Sequence, residues 1–164
     1  MSILIRSASE LDAPVLLDLI RQLAEYEKLG HLVAATEERL RETLFGAKPA
    51  AEALLSDCDG ECAGFAVFFA TYSTFLAQPG IYLEDLYVKA HLRGKGVGSA
   101  LLRRLAGIAV ERGCVRGERV GLARKRPADR ESEVWGKMLR GAPYRARRAA
   151  YGQRATKIGC TPLC

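Results

Sequence analysis

Residues 81–112 read IYLEDLYVKAHLRGKGVGSALLRRLAGIAVER, and the fold turns on this stretch. The β-branched and aromatic run at 81–88 predicts a strand. Arg93-Gly94-Lys95-Gly96-Val97-Gly98 predicts a glycine-rich turn, and the apolar stripe from Val97 to Arg112 predicts a long amphipathic helix. Strand, turn and helix in this order make a site for a phosphorylated ligand. The first N–H groups of a helix have no intrahelical acceptor, and the helix dipole adds partial positive charge beside them. Glycines let the backbone close on the ligand without a Cβ in the way.

Upstream, residues 2–6 (SILIR) predict a first strand. Ser9, with Asp12 three residues on, is an N-cap for a helix whose stripe is Val15, Leu16, Leu19, Ile20 and Leu23. That helix should run to about Glu27 and end at Gly30. Thr36 caps a second helix with Glu37 and Glu38 in its first turn, an apolar face of Leu40, Leu44 and Phe45, and Gly46 at its end. Residues 51–56 and 63–72 predict two strands joined by a hairpin around Asp59-Gly60, and 73–80 a loop ending in Pro79-Gly80. The order is strand, two helices, three strands, glycine turn, helix. It predicts an α/β domain: a mixed, mostly antiparallel sheet flanked by helices.

A chain of 164 residues, half of them apolar, suits one domain. No run approaches a membrane span, and MSILIRSASE lacks the basic-then-apolar pattern of a signal peptide, so a cytoplasmic protein is expected. Five cysteines, an odd number, suggest a reducing compartment. Cys58 and Cys62 flank the hairpin turn, with His31 and His91 far away in sequence; free thiols are expected there and no metal. Charge divides the chain unevenly. Residues 1–114 carry 12 Lys/Arg against 15 Asp/Glu, whereas 115–164 carry 13 against 4. Periodicity fades at the same place, leaving at most a strand at 115–122 and a helical stretch at 130–139.

The glycine turn fits two familiar phosphate loops badly. A P-loop needs Ser or Thr after Gly-Lys and a glycine at position 89, where this chain has Gly96 and Lys89. A dinucleotide fingerprint needs G-x-G-x-x-G in an early βαβ unit; here it is G-x-G-x-G after three antiparallel-looking strands. Arg93, two residues, then a glycine opening a helix resembles the pyrophosphate loop of the GNAT superfamily of N-acetyltransferases. A closer resemblance runs through RQLAEYEK (21–28), the Thr36-Glu37 helix start, GFAVFFATY (64–72) and YLEDLYVKAHLRGKGVGS (82–99). These are similar to the diamine (spermidine/spermine) acetyltransferases and their thialysine-acetylating relatives, over about residues 3–114.

The resemblance implies the GNAT acyl-CoA N-acyltransferase fold and acetyl transfer from acetyl-CoA, as co-substrate, to a primary amine of a small cation. It also implies a homodimer. It assigns Tyr26 and Glu27 to substrate contact. It assigns Glu84 to the amine, with Asp85 beside it, and the backbone of Leu86, Tyr87 and Val88 to the pantetheine. Arg93, Gly94, Lys95, Gly96, Val97, Gly98 and Ser99 fall to the pyrophosphate, with Arg103 and Arg104 as further candidate cations. The chemistry agrees. An alkyl ammonium of pKa about 10 must lose a proton before it attacks a carbonyl, and Glu84 could hold the cation and take that proton, making it the candidate catalytic residue. A backbone N–H near Val88 could polarise the thioester carbonyl. Strand alternation predicts that Glu84 and Asp85 point to opposite faces.

The family continues with W-N-x-P-A-I-x-F-Y-x-x-x-G-A, whose tyrosine protonates the leaving thiolate. Residues 126–139 (RPADRESEVWGKML) hold only fragments of it, and neither Tyr144 nor Tyr151 lies in that motif. The domain division is therefore 1–114, the acetyltransferase core, and 115–164, an atypical basic segment. Three readings of that segment stand open: a frame error in the gene, a divergent completion of the same domain, or an added basic piece for nucleic acid or an acidic partner. The basic residues there lack an orderly spacing with stacking aromatics, so no nucleic-acid partner is expected. The rivals to an enzyme are a non-catalytic acyl-CoA- or polyamine-binding domain and a basic-tailed nucleic-acid binder.

Overall fold

The computed structural model describes residues 2–114 and the backbone of 116–119. The expected helix at 130–139, the rest of the expected strand at 115–122, and Tyr144 and Tyr151 lie outside the described residues.

Five strands form one sheet in sequence order: β1 (Ile3–Ser7), β2 (Glu52–Cys58), β3 (Glu61–Ser73), β4 (Gln78–Val88) and β5 (Arg116–Arg119). The first four are antiparallel, and β5 lies parallel to β4, so the sheet is mixed and mostly antiparallel as expected. Two helices separate β1 from β2: α1 (Ala13–Tyr26) and α2 (Glu37–Phe45); α3 (Val97–Glu111) follows β4. No helix among the described residues is long and apolar enough to cross a membrane.

Helices cover both faces of the sheet. Leu16 and Leu19 of α1 pack on Ala53, Leu55, Phe65 and Tyr87, which share a face by register. The opposite face, including Leu54, Phe68, Leu83, Leu86 and Val88, takes α3, which buries Val97, Leu101, Leu102, Leu105, Ile108 and Ala109. Ser56 is fully buried on that face, and its hydroxyl donates to Gly64 O at 3.1 Å. Glycine is required at position 64 by close approach: a Cβ there would meet Tyr87 O. The β2–β3 hairpin turns on Asp59 (φ 49°) and Gly60 (φ 90°), the paired positive φ values of a two-residue turn that suits strand twist.

Several local expectations shift. Ser9 caps a 3-10 turn (Glu10–Asp12), with its N–H and hydroxyl both on Asp12 Oδ2 at 2.8 Å, and α1 begins only at Ala13. Gly30 does not end α1. Lys28 takes the left-handed position (φ 63°), with Lys28 N–H donating to Glu25 O and Leu29 N–H to Ala24 O, so a lysine fills a place usually given to glycine. Pro79 and Gly80 belong to β4 rather than to a loop. Pro79 opposes Tyr72 just outside the ladder with β5, where its missing N–H breaks no bond on that side. Cys58 and Cys62 are free thiols on opposite faces of the hairpin: Cys62 pairs with Asp57, and Cys58 is the next residue along β2. Burial pushes the Cys62 thiol up.

At the β1 edge the Arg6 guanidinium bridges two carboxylates. Nη1 and Nη2 meet Asp12 at 2.8 Å each, and Nε meets Asp57 at 2.9 Å. These bonds hold the Asp12 carboxyl well below its ordinary range.

Candidate functional site

The site forms where β4 loses its second neighbour. Residues 80–83 pair with β3 on one side and β5 on the other. The β3 register then slips: Leu83 opposes Phe68, Asp85 opposes Val67, and Glu84 is the extra residue of a bulge. Beyond it, among the described residues, β4 pairs only with β3. Lys89 N–H donates to Ala63 O at 2.9 Å. Alternation therefore turns the N–H and C=O groups of Val88 and Leu86 away from β3, toward the open side. An extended chain of amides could pair there, as the resemblance implies for pantetheine.

The bulge also corrects the expected parity of the carboxylates. Leu83 shares a face with Phe68, and Asp85 shares the opposite one with Val67, so the inserted Glu84 falls on the same face as Asp85. Both lie on the α1 side, with Tyr87. Glu84 is exposed and has no side-chain partner among the described residues; Asp85 is half-buried. The sequence carried a signal for this. The aliphatic residues run Ile81, Leu83, then Leu86, Val88, and the gap of three is a phase slip.

At the end of the open edge stands the N-terminus of α3. Gly94 (φ 77°) and Gly96 (φ 89°) occupy the left-handed region, and a Cβ at either would meet nothing within 4 Å. Conformation, rather than crowding, selects glycine at both, and their outer faces stay open to a ligand. Ala100 N–H donates to Gly96 O at 2.9 Å and is the first to find an acceptor in the helix. The N–H groups of Val97, Gly98 and Ser99 precede it and remain for an anion. Gly98 sits on the open half of β4, where an added Cβ would lie 3.7 Å from Leu86 Cδ2 and Val88 Cγ2. Free donors, the helix dipole and exposed Lys95 together fit a pyrophosphate.

The other candidate cations are placed differently. Arg104 reaches toward the far end of α3, its Nη1 3.1 Å from Glu111 Oε1, away from the turn; Arg103 is exposed. Lys89 and His91 both face Glu61, at 2.8 and 3.3 Å, and Lys89 first holds that carboxyl below its ordinary value. Arg93 turns inward. Its Nε donates to Val88 O at 2.8 Å, and its Cζ lies 4.2 Å from the Tyr26 ring centroid and 5.5 Å from that of Tyr87. Tyr87 in turn donates its hydroxyl to Gln22 Oε1 at 3.4 Å. Tyr26, at 51% exposure, closes α1 beside exposed Glu27. The structure thus joins Tyr26 to the Val88 edge through Arg93, while the Glu27 side chain makes no hydrogen bond or ion pair among the described residues. Neither Gln22 nor the Tyr26–Arg93–Tyr87 stack had a signal in the sequence, because each contact joins separate elements.

Comparison with known proteins points the same way as this geometry. The family described as "Acetyltransferase (GNAT) family" matches residues 17–124. The chain is 40% identical over 121 residues to a thialysine N-epsilon-acetyltransferase of Sus scrofa, covering 69% of this chain and 71% of that one. It is 31% identical to an L-ornithine N5-acetyltransferase of Arabidopsis thaliana, covering 70% of each. Among solved structures, a ribosomal-protein-alanine N-acetyltransferase from Brucella melitensis superposes with a TM-score of 0.64 at 22% identity, covering 84% of this chain and 91% of that one.

Proposed function

This chain belongs to the GNAT family of acetyltransferases, and from that premise we propose that it moves acetyl from acetyl-CoA directly to a primary amine of a small cationic substrate. The observation that carries this reading is the open half of β4, with the outward backbone of Leu86 and Val88 running into the free N–H groups of α3. The residues at hand fit each part of the co-substrate. The N–H groups of residues 97–99, with Lys95, suit the pyrophosphate. Leu86 and Val88 suit the pantetheine amides, as an added strand would. The outward N–H of Val88 suits the oxygen of the thioester carbonyl, where negative charge builds during attack.

Glu84 and Asp85, on the face of the sheet that α1 covers, suit a cation. The amine loses a proton to Glu84 or to a water it holds, and its nitrogen then bonds to the acetyl carbon while the carbon–sulfur bond breaks. The thiolate gains a proton from solvent or from a group outside the described residues. Direct transfer needs both substrates together, and such positioning is worth about 7–11 kcal/mol. The names of the relatives put amino acids with a short terminal amine, thialysine and ornithine, ahead of spermidine and putrescine. The same likeness carries the proposals of a cytoplasmic homodimer and of an acetyltransferase core in residues 1–114 with an atypical basic segment after it.

The test is thiol release from acetyl-CoA with thialysine, ornithine, spermidine and putrescine in turn. Turnover of at least one, with the acetylated amine identified by mass, is the expected result. CoA binding in calorimetry without thiol release from any of the four would replace the enzyme with a binding domain.

A further inference from the structure

Arg93 stands at the place of a phosphate-binding cation, and its guanidinium engages groups on β4 and α1. One edge of its guanidinium donates to Val88 O at 2.8 Å, and its face lies 4.2 Å from the ring of Tyr26. Three elements meet there: the end of α1, the open edge of β4 and the glycine turn. From this geometry we propose that Arg93 is a positioning residue coupling the coenzyme A end of the site to the amine end through Tyr26.

Two observations carry the coupling. The peptide between Val88 and Lys89 is held at both ends, its C=O by Arg93 Nε and its N–H by Ala63 O at 2.9 Å. That peptide adjoins the outward N–H of Val88, so moving Arg93 moves the edge on which the thioester would lie. Tyr26 sits on the last turn of α1, half-exposed, with the Arg93 guanidinium over its ring. A ligand that orders the glycine turn therefore orders Tyr26, and the reverse holds by linkage. The role needs arginine. A planar guanidinium donates in its plane while its face lies on a ring; an ammonium keeps the charge but cannot do both.

The inference rests on the acetyl-transfer reading for its amine readout, whereas its coenzyme A readout stands alone. Binding of CoA is measured by calorimetry in the full chain, in Arg93→Lys, Tyr26→Leu and Tyr26→Phe, and in the Arg93→Lys/Tyr26→Leu double variant, with thermal midpoints to show that each folds. Loss of one charge-assisted bond and one half-exposed stack predicts weaker CoA binding by about tenfold in Arg93→Lys and in Tyr26→Leu. Tyr26→Phe keeps the ring and should stay within about twofold. The double variant should bind no more weakly than Arg93→Lys alone. Additive losses would overturn the proposal, because Tyr26 would then act on CoA independently. Wild-type affinity in Arg93→Lys would overturn it too, since charge alone would suffice. In turnover, Arg93→Lys should raise the amine KM by about tenfold with kcat within about twofold, whereas equal falls in kcat and kcat/KM would show a role in chemistry instead. If the wild-type chain binds CoA but acetylates no amine, the acetyl-transfer reading fails while the binding cycle still decides this one.

Discussion

The two halves of β4 share a strand, a partner and nearly the same run of apolar residues, yet they do different work. Residues 80–83 are flanked by β3 and β5, and their outer edge is used up in a ladder. Residues 86–88 have β3 alone among the described residues, and their outer edge faces the N-terminus of α3. One bulge, at Glu84, separates the halves and flips the facing of everything after it. A continuous strand thus lies inside the sheet on one side of a single residue and, among the described residues, has an unpaired edge on the other. Position in the sheet, rather than residue type, makes the difference.

Neighbouring substitutions at this junction should break it in opposite ways. Glu84→Gln should lower kcat/KM by about 10²- to 10⁴-fold, the range for a lost general base, with little change in thermal midpoint. A loss below tenfold would remove Glu84 from catalysis. Leu83→Ala, fully buried one position earlier, should lower stability by about 3 kcal/mol in chemical denaturation and leave kcat/KM of the folded enzyme close to wild type. Gly64→Ala tests the downstream half from across the ladder. Its Cβ would push on Tyr87 O and so displace the open edge, costing about 2 kcal/mol of stability and weakening CoA binding together. Stability loss without a CoA effect would show that the edge tolerates movement.

The far edge of the sheet offers a control that should move stability alone. Asp12 is held below its ordinary value of 3.8, first by the hydrogen bond to Arg6. A carboxyl depressed in the folded state contributes stability that is full above that value and fades as pH falls below it. Arg6→Gln should therefore destabilise by about 1 kcal/mol at neutral pH, screened because Arg6 is partly exposed, and the gap from wild type should close in acid. A gap that does not change with pH would refute the linkage. The smallest change concerns the helix end that carries Tyr26. Lys28→Gly removes the cost of a side chain at φ 63° and should stabilise by about 1 kcal/mol in thermal or chemical denaturation.

Much of the fold was legible because it is encoded locally. The stripe on α1, the cap at Thr36, the Asp59-Gly60 turn and the glycines before α3 all speak through spacings of a few residues, and each is found where the sequence puts it, save that Val15 of the stripe is exposed and Leu17 is buried. Arg39 N–H on Thr36 Oγ1 at 3.3 Å is such a case. The end of α1 near Glu27 was read correctly, but its stop was assigned to the wrong residue. Glycine at 30 is the usual stop, but the chain puts the left-handed residue at Lys28. The site was legible in part. The glycine turn at the start of α3 was legible, whereas the facing of Glu84 and Asp85 was read from regular alternation that a bulge suspends.

The sequence by itself determined the order of elements, the family resemblance and the position of the glycine turn before α3, because periodicity, capping and glycine conformations are properties of near neighbours. Tertiary structure decided which half of β4 has β3 alone among the described residues, that two adjacent carboxylates share a face, and that Arg93 lies against Tyr26. Those outcomes depend on register between strands and on packing between residues remote along the chain, which local patterns do not fix.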